Sequence, residues 1–117
     1  MEQQYRTATG TGEALNGTVD VTIIAAAGAG TYLRVVDATI AVTVAAAGGG
    51  GEVALEDGAG GTRFFEADAD ALGVYSIHFD PPGYPLSANT LLNITVDGAA
   101  TTQATARCTA LAIVAGG

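Results

Sequence analysis

The sequence predicts an all-β fold, a jelly-roll-like β-sandwich of seven or eight mostly antiparallel strands. Three observations predict it. Apolar and polar residues alternate with period two in segment after segment, the pattern of a strand with one buried face. The segments are separated by glycine-rich turns, with 17 glycines in 117 residues. The 24 alanines are interleaved with Thr, Val and Gly, a mixture that suits strands although alanine alone is the best helix former. Short strands at this spacing read as a sandwich, jelly roll or small barrel.

The elements follow in order. Residues 1–17 are polar and glycine-spaced and read as a flexible N-terminal arm; a single sandwich domain is expected over 18–117. From Thr18, the residues Val19, Val21 and Ile23 share one face of a half-buried strand, with Asp20 and Thr22 on the other. Ala26 to Thr31 is a small-residue turn. Tyr32 to Ala46 is the longest extended segment. Leu33 and Val35 have one parity and Ala38, Ile40, Val42 and Val44 the other, so a bulge or bend is expected at Val36-Asp37.

Gly48–Gly51 break the chain. A short strand, Glu52 to Asp57, then points Val53 and Leu55 inward, and Gly58–Gly61 turn it back into Thr62–Glu66. Ala67–Leu72 has modest helical character and is short enough to be a turn. Gly73–Asp80 places Tyr75, Ile77 and Phe79 on one face and Val74, Ser76 and His78 on the other. The Pro81–Pro85 segment is expected to be rigid and outside any ladder. Asn89–Asp97 resumes extension with Leu92, Ile94 and Val96 aligned, and Thr101–Val114 is the last strand.

The bulk numbers bound the function. Twelve acids against four arginines, with no lysine, give a net charge of −8. Such a surface repels phosphates, which argues against nucleic acid and anionic membranes as partners. No signal peptide is read at the N-terminus, and no run reaches the ~20 apolar residues of a membrane helix. Leu, Ile, Val and Phe total 27 residues, a lean supply for a core. Alanine must fill much of the interior, and burial against a neighbouring subunit would help.

Candidate chemistry is sparse. His78 is the sole histidine; Ser76 and Asp80 share its face at roughly 6–7 Å along the strand, too far for direct contact. Cys108 reads as a small core residue with nothing nearby to activate it. Asp57, Glu66, Asp68 and Asp70 form an acidic segment that lacks the order of a calcium loop and reads as a solvated turn, with a weak cation as the alternative. The glycine runs lack the context of a phosphate loop. The sequons at Asn16 and Asn93 read as chance matches. No catalytic residue, cofactor or metal site is expected, and the chain is not read as an enzyme.

Interface candidates are Tyr84, fixed between Gly83 and Pro85, together with Tyr32, Arg34, Arg63 and Arg107. Scarce arginines in an acidic chain are natural partners for carboxylates across a subunit boundary.

Leu33 to Val114 resembles the small all-β structural proteins of tailed bacteriophages, above all the capsid decoration or cement proteins. The features that carry the resemblance are the strand Leu33-Arg34-Val35-Val36-Asp37-Ala38-Thr39-Ile40, the glycine-rich hairpins, and the Phe79-Asp80-Pro81-Pro82-Gly83-Tyr84-Pro85 loop. Leu91-Leu92-Asn93-Ile94 and a closing Thr/Ala strand follow. The resemblance implies a homotrimer on the outer surface of the virion capsid, made in the host cytoplasm, that braces the major capsid protein without catalysis. The alternative it leaves open is a β-module of a phage tail or fibre that binds a receptor or glycan.

Overall fold

The structure is a computed structural model and describes residues 4–15, 18–46, 50–80, 82–98 and 103–116. Nine strands lie among them: β1 (Gln4–Leu15), β2 (Thr18–Ile24), β3 (Thr31–Val44), β4 (Glu52–Asp57), β5 (Thr62–Asp68), β6 (Gly73–His78), β7 (Tyr84–Pro85), β8 (Leu92–Asp97) and β9 (Gln103–Gly116). They form two antiparallel sheets. One has the order β1-β9-β3-β6, with β7 also on β3; the other has the order β2-β8-β4-β5. The pairings are nested. β4 pairs with β5, β3 with β6, β2 with β8 and β1 with β9, so the chain doubles back on itself as one long hairpin folded into two sheets.

The apolar faces of both sheets meet in one core, the arrangement of a β-sandwich. From β3 come Leu33, Val35, Ala38, Ile40 and Val42; from β4, Val53 and Leu55; from β8, Leu92, Ile94 and Val96. The inward positions of β9 are Ala104, Ala106, Cys108, Ala110 and Ala112, all buried. Alanine therefore does fill the interior, and it does so along one central strand. Aromatic side chains are concentrated elsewhere, where β5 and β6 edge the two sheets. Phe65 meets Tyr75 at a ring separation of 6.1 Å. Phe64 stacks on Tyr84 at 4.3 Å and touches Phe79 at 5.7 Å. Aromatic rings bury much more area each than alanine, so they close the edge that the backbone pairing leaves open.

The expected alternation shows in the burial of β2, β3 and β6; in β4 and β8 the expected inward residues Val53, Leu55, Leu92, Ile94 and Val96 are buried, but so are Ala54, Glu56, Asn93 and Thr95 between them. The register of β3 against β9 shifts between Val35 and Asp37, where the change of parity places a bulge. A second shift, between Val42 and Val44, was not expected. It leaves Val44 exposed rather than in line with Val42.

Four expectations are corrected. The strand count is nine among the described residues, not seven or eight. Residues 4–15 of the expected arm pair along β9 as a twelve-residue strand. The supposed helical turn at Ala67–Leu72 is the end of β5 followed by a bend. The proline segment does enter a ladder, since Tyr84 and Pro85 pair with Val35 and Arg34. Gly83 permits that approach. Its φ is +90°, and a Cβ there would lie 2.8 Å from the Val35 carbonyl oxygen. Gly48, Gly49 and the Asn16 sequon lie outside the described residues.

Candidate functional site

The two outer faces of the sandwich carry the polar chemistry, and they differ in kind. On the β2-β8-β4-β5 sheet, inward Val53, Ile94 and Val96 force their neighbours outward. Register then aligns those neighbours in rows. Asp97 stands opposite Glu52, and Glu52 opposite Asp68. Asp20 stands opposite Thr95, Thr95 opposite Ala54, and Ala54 opposite Glu66. Asn93 stands opposite Glu56, and Glu56 opposite Arg63. Six of the twelve acids of the chain therefore share one face with one arginine, a formal charge of 1 − 6 = −5.

Like charges directly opposite on a sheet destabilise it, and a hydrogen-bond network offsets part of that here. Arg63 Nε donates to Glu56 Oε2 at 3.1 Å, and its Nη1 bonds Glu52 and lies 3.7 Å from Glu66. Asn93 Nδ2 donates to Glu56 Oε1 at 2.9 Å and to Asp20 Oδ1 at 3.1 Å. Thr95 Oγ1 donates to the same Asp20 oxygen at 2.6 Å, and Gly60 N donates to Glu56 Oε1 at 3.2 Å. Glu56 is 3% exposed and Asn93 1%, and the bonds above match both, as burial requires. Burial opposes the charge of Arg63, but the bonds to Glu56 and Glu52 outweigh it and hold its pKa above the ordinary value. Asn93, enclosed in this network, is not available to a glycan in the folded chain.

On β9, β3 and β6 the outer face of the other sheet is nearly neutral. Thr109 stands opposite Thr39, and Thr39 opposite Ser76; all three are exposed. Arg107 stands opposite Ala41, and Ala41 opposite Val74, which is 66% exposed. At the far end Arg34 lies beside Tyr32. Its Nη2 donates to the Tyr32 hydroxyl at 2.6 Å, and its guanidinium carbon is 5.3 Å from the ring centroid.

On the same face, cross-strand pairing sets His78 opposite Asp37. Their Nδ1 and Oδ1 are 2.7 Å apart, and His78 Nε2 is 3.7 Å from Asp80. The hydrogen bond to Asp37 raises the imidazole pKa above its usual value, against a smaller effect of desolvation.

The sequence candidates thus separate. Arg63 belongs to the acidic face, Arg34 and Arg107 to the neutral one, and Tyr32 is tied to Arg34. Tyr84 is half-buried against Phe64 and Phe79, packed on its own sandwich rim. The four acids read as one loop do not converge. Asp57 accepts from Ser87 N and Oγ, Asp70 accepts from Gly51 N at 2.6 Å, and Glu66 and Asp68 lie on β5. Among the described residues no group of three or more His, Cys, Asp or Glu is arranged to hold a metal.

Cys108 is buried, and burial pushes its thiol up to about 12. The sequence reading missed the Asp37–His78 pair and the network around Glu56, because both are made by strand pairing rather than by spacing. No protein-family model matches the chain, and no curated protein matches it.

Proposed function

We propose that the chain is a non-enzymatic structural protein of a virion, a capsid decoration or cement protein that binds the major capsid protein shell as a homotrimer. The fold under this reading is a jelly roll. The single observation that supports it is the nested strand order. With the two-residue β7 left aside, eight strands in two four-stranded sheets pair first with last, second with seventh, third with sixth and fourth with fifth. This is the connectivity of a jelly roll, an architecture used by viral capsid and lectin domains. A scaffold whose polar side chains are spread over two broad sheet faces suits surface recognition. An acidic face also keeps nucleic acid away.

Reconstruction of the virion tests the placement. Density for this chain over the capsid shell is the expected result; density at the tail or fibre, or none on the particle, overturns the cement reading. Light scattering tests the trimer, since a solution mass near three times 11.5 kDa is expected at micromolar concentration.

A further inference from the structure

We infer that the outer face of the β1-β9-β3-β6 sheet, and not the acidic face of the opposite sheet, is the surface on which a second copy of this chain packs. The inference rests on the homo-oligomeric part of the function proposed above and names the surface that serves it. Charge discriminates between the two faces. Bringing two acidic faces together would set −5 against −5 at contact distance, and like-charge juxtaposition across an interface costs several kcal/mol.

On β9, β3 and the β6 segment the other face carries both signs in near balance. Arg34 and Arg107 oppose Asp37 and Asp80, with His78 held between those two aspartates. Two such faces meet without net repulsion and can pair arginine with aspartate across the boundary. The middle of this face is made of Thr109, Thr39 and Ser76 in one transverse row. Short hydroxyl side chains lose little rotamer freedom on burial and can exchange hydrogen bonds with their own kind. Val74, at 66% exposure, and half-buried Leu111 and Ile113 add apolar area to it.

The area is also sufficient. β3 and β9 are each 14 residues long. The four strands, of 12, 14, 14 and 6 residues, at about 3.4 Å per residue and about 4.8 Å apart, present on the order of 750 Å². A standard stable interface buries about 800 Å² per partner. The molecular extents of 49 × 22 × 18 Å leave no larger flat surface than the two sheet faces, and the other one is acidic.

The test is light scattering on the full chain and on three variants, with circular dichroism as the check on folding. Thr39→Arg puts a long charged side chain at the centre of the face, and Ser76→Arg does so on the edge strand β6. Thr22→Arg, exposed on the opposite sheet, is the control. The expected result is a wild-type oligomer, a fall to the monomer mass of 11.5 kDa for Thr39→Arg and Ser76→Arg at the same concentration, and no change for Thr22→Arg. If Thr39→Arg fails to fold, Ser76→Arg carries the comparison, because an exposed edge position tolerates the change. An oligomer that survives Ser76→Arg, or that Thr22→Arg dissociates, overturns the choice of face and leaves the oligomer standing. A wild-type chain that is monomeric throughout the micromolar range overturns both.

Discussion

His78 Nδ1 lies 2.7 Å from Asp37 Oδ1, directly across the β3–β6 ladder and just past the point where β3 bulges. The bulge is what makes the contact. If β3 ran from Val35 to Asp37 without the bulge, the parity of Leu33 and Val35 would continue, and Asp37 would point into the core.

The first prediction is a pH effect. His78 keeps its proton to a higher pH in the folded chain than in the unfolded one. A raised folded pKa means that the pair's contribution is fully present below about pH 6.5, the unfolded value, and is lost as pH rises through the folded pKa. NMR titration of the sole imidazole should give a midpoint above 6.5 in the wild type and a lower one in Asp37→Asn. The stability difference between the two should be greatest near pH 5 and vanish by pH 9. Equal midpoints in both proteins would refute the pairing.

A second prediction concerns Arg63. Glu56 is almost fully buried, while the arginine side chain that pairs with it is 36% exposed. Removing one partner of a buried pair costs about 3–5 kcal/mol, mostly because a charge is left buried and unpaired. With Arg63 partly in water, the expected loss for Arg63→Met is about 2 kcal/mol. Adding Glu56→Gln should restore part of that, since the buried charge is then gone and Asn93 keeps an oxygen acceptor. Urea unfolding of the two variants at pH 7 measures it. A double variant less stable than Arg63→Met would contradict the account.

The sequence made some of this legible and hid the rest for a physical reason. Parity is a local property, and it placed Val19, Val21 and Ile23, the inward residues of β4, β6 and β8, and the bulge in β3. It carries no information about partners. His78 reads as isolated because Asp37 is 41 residues away, and Glu56, Asn93 and Asp20 lie on three separate strands. The strand β1 was missed because Thr7, Thr9 and Thr11 alternate with Ala8, Gly10 and Gly12. Small and hydroxyl residues give no apolar contrast, so a paired strand and a loose arm look alike. Scarcity marks the arginines as candidates but does not say which face each one joins.

The third prediction addresses how β7 reaches β3. Gly83 has φ +90° and sits against the Val35 carbonyl. Alanine there meets both a left-handed backbone and a close oxygen. Each left-handed non-glycine residue costs about 1–3 kcal/mol, so Gly83→Ala should lose about 2 kcal/mol and lower Tm by on the order of 8 °C. The damage should be local first. Amide exchange at Leu86, whose N–H donates to the Leu33 carbonyl at 2.8 Å, should accelerate more than exchange at Ile94 in the core. Uniform acceleration at both sites would show that Gly83 has no special role in seating β7.

The last prediction uses Cys108 as a reporter of the light core. The thiol lies among Ala104, Ala106, Ala110 and Ala112 on β9, in the same cluster as Leu55 and Ile94. Two barriers protect it from alkylation. Its thiol pKa of about 12 leaves a thiolate fraction of roughly one in ten thousand at pH 8, and only the thiolate attacks. Burial then denies the reagent access. Iodoacetamide should therefore modify the native chain more than a hundredfold more slowly than the urea-unfolded chain, as read by mass spectrometry. Cys108→Ala tests whether the site is filled by shape alone. It removes one sulfur from a strand whose other inward residues are already alanine, and the expected cost is about 1–2 kcal/mol from the small cavity left behind. A native thiol that reacts as fast as the unfolded one would mean that β9 does not hold its alanine face against the opposite sheet.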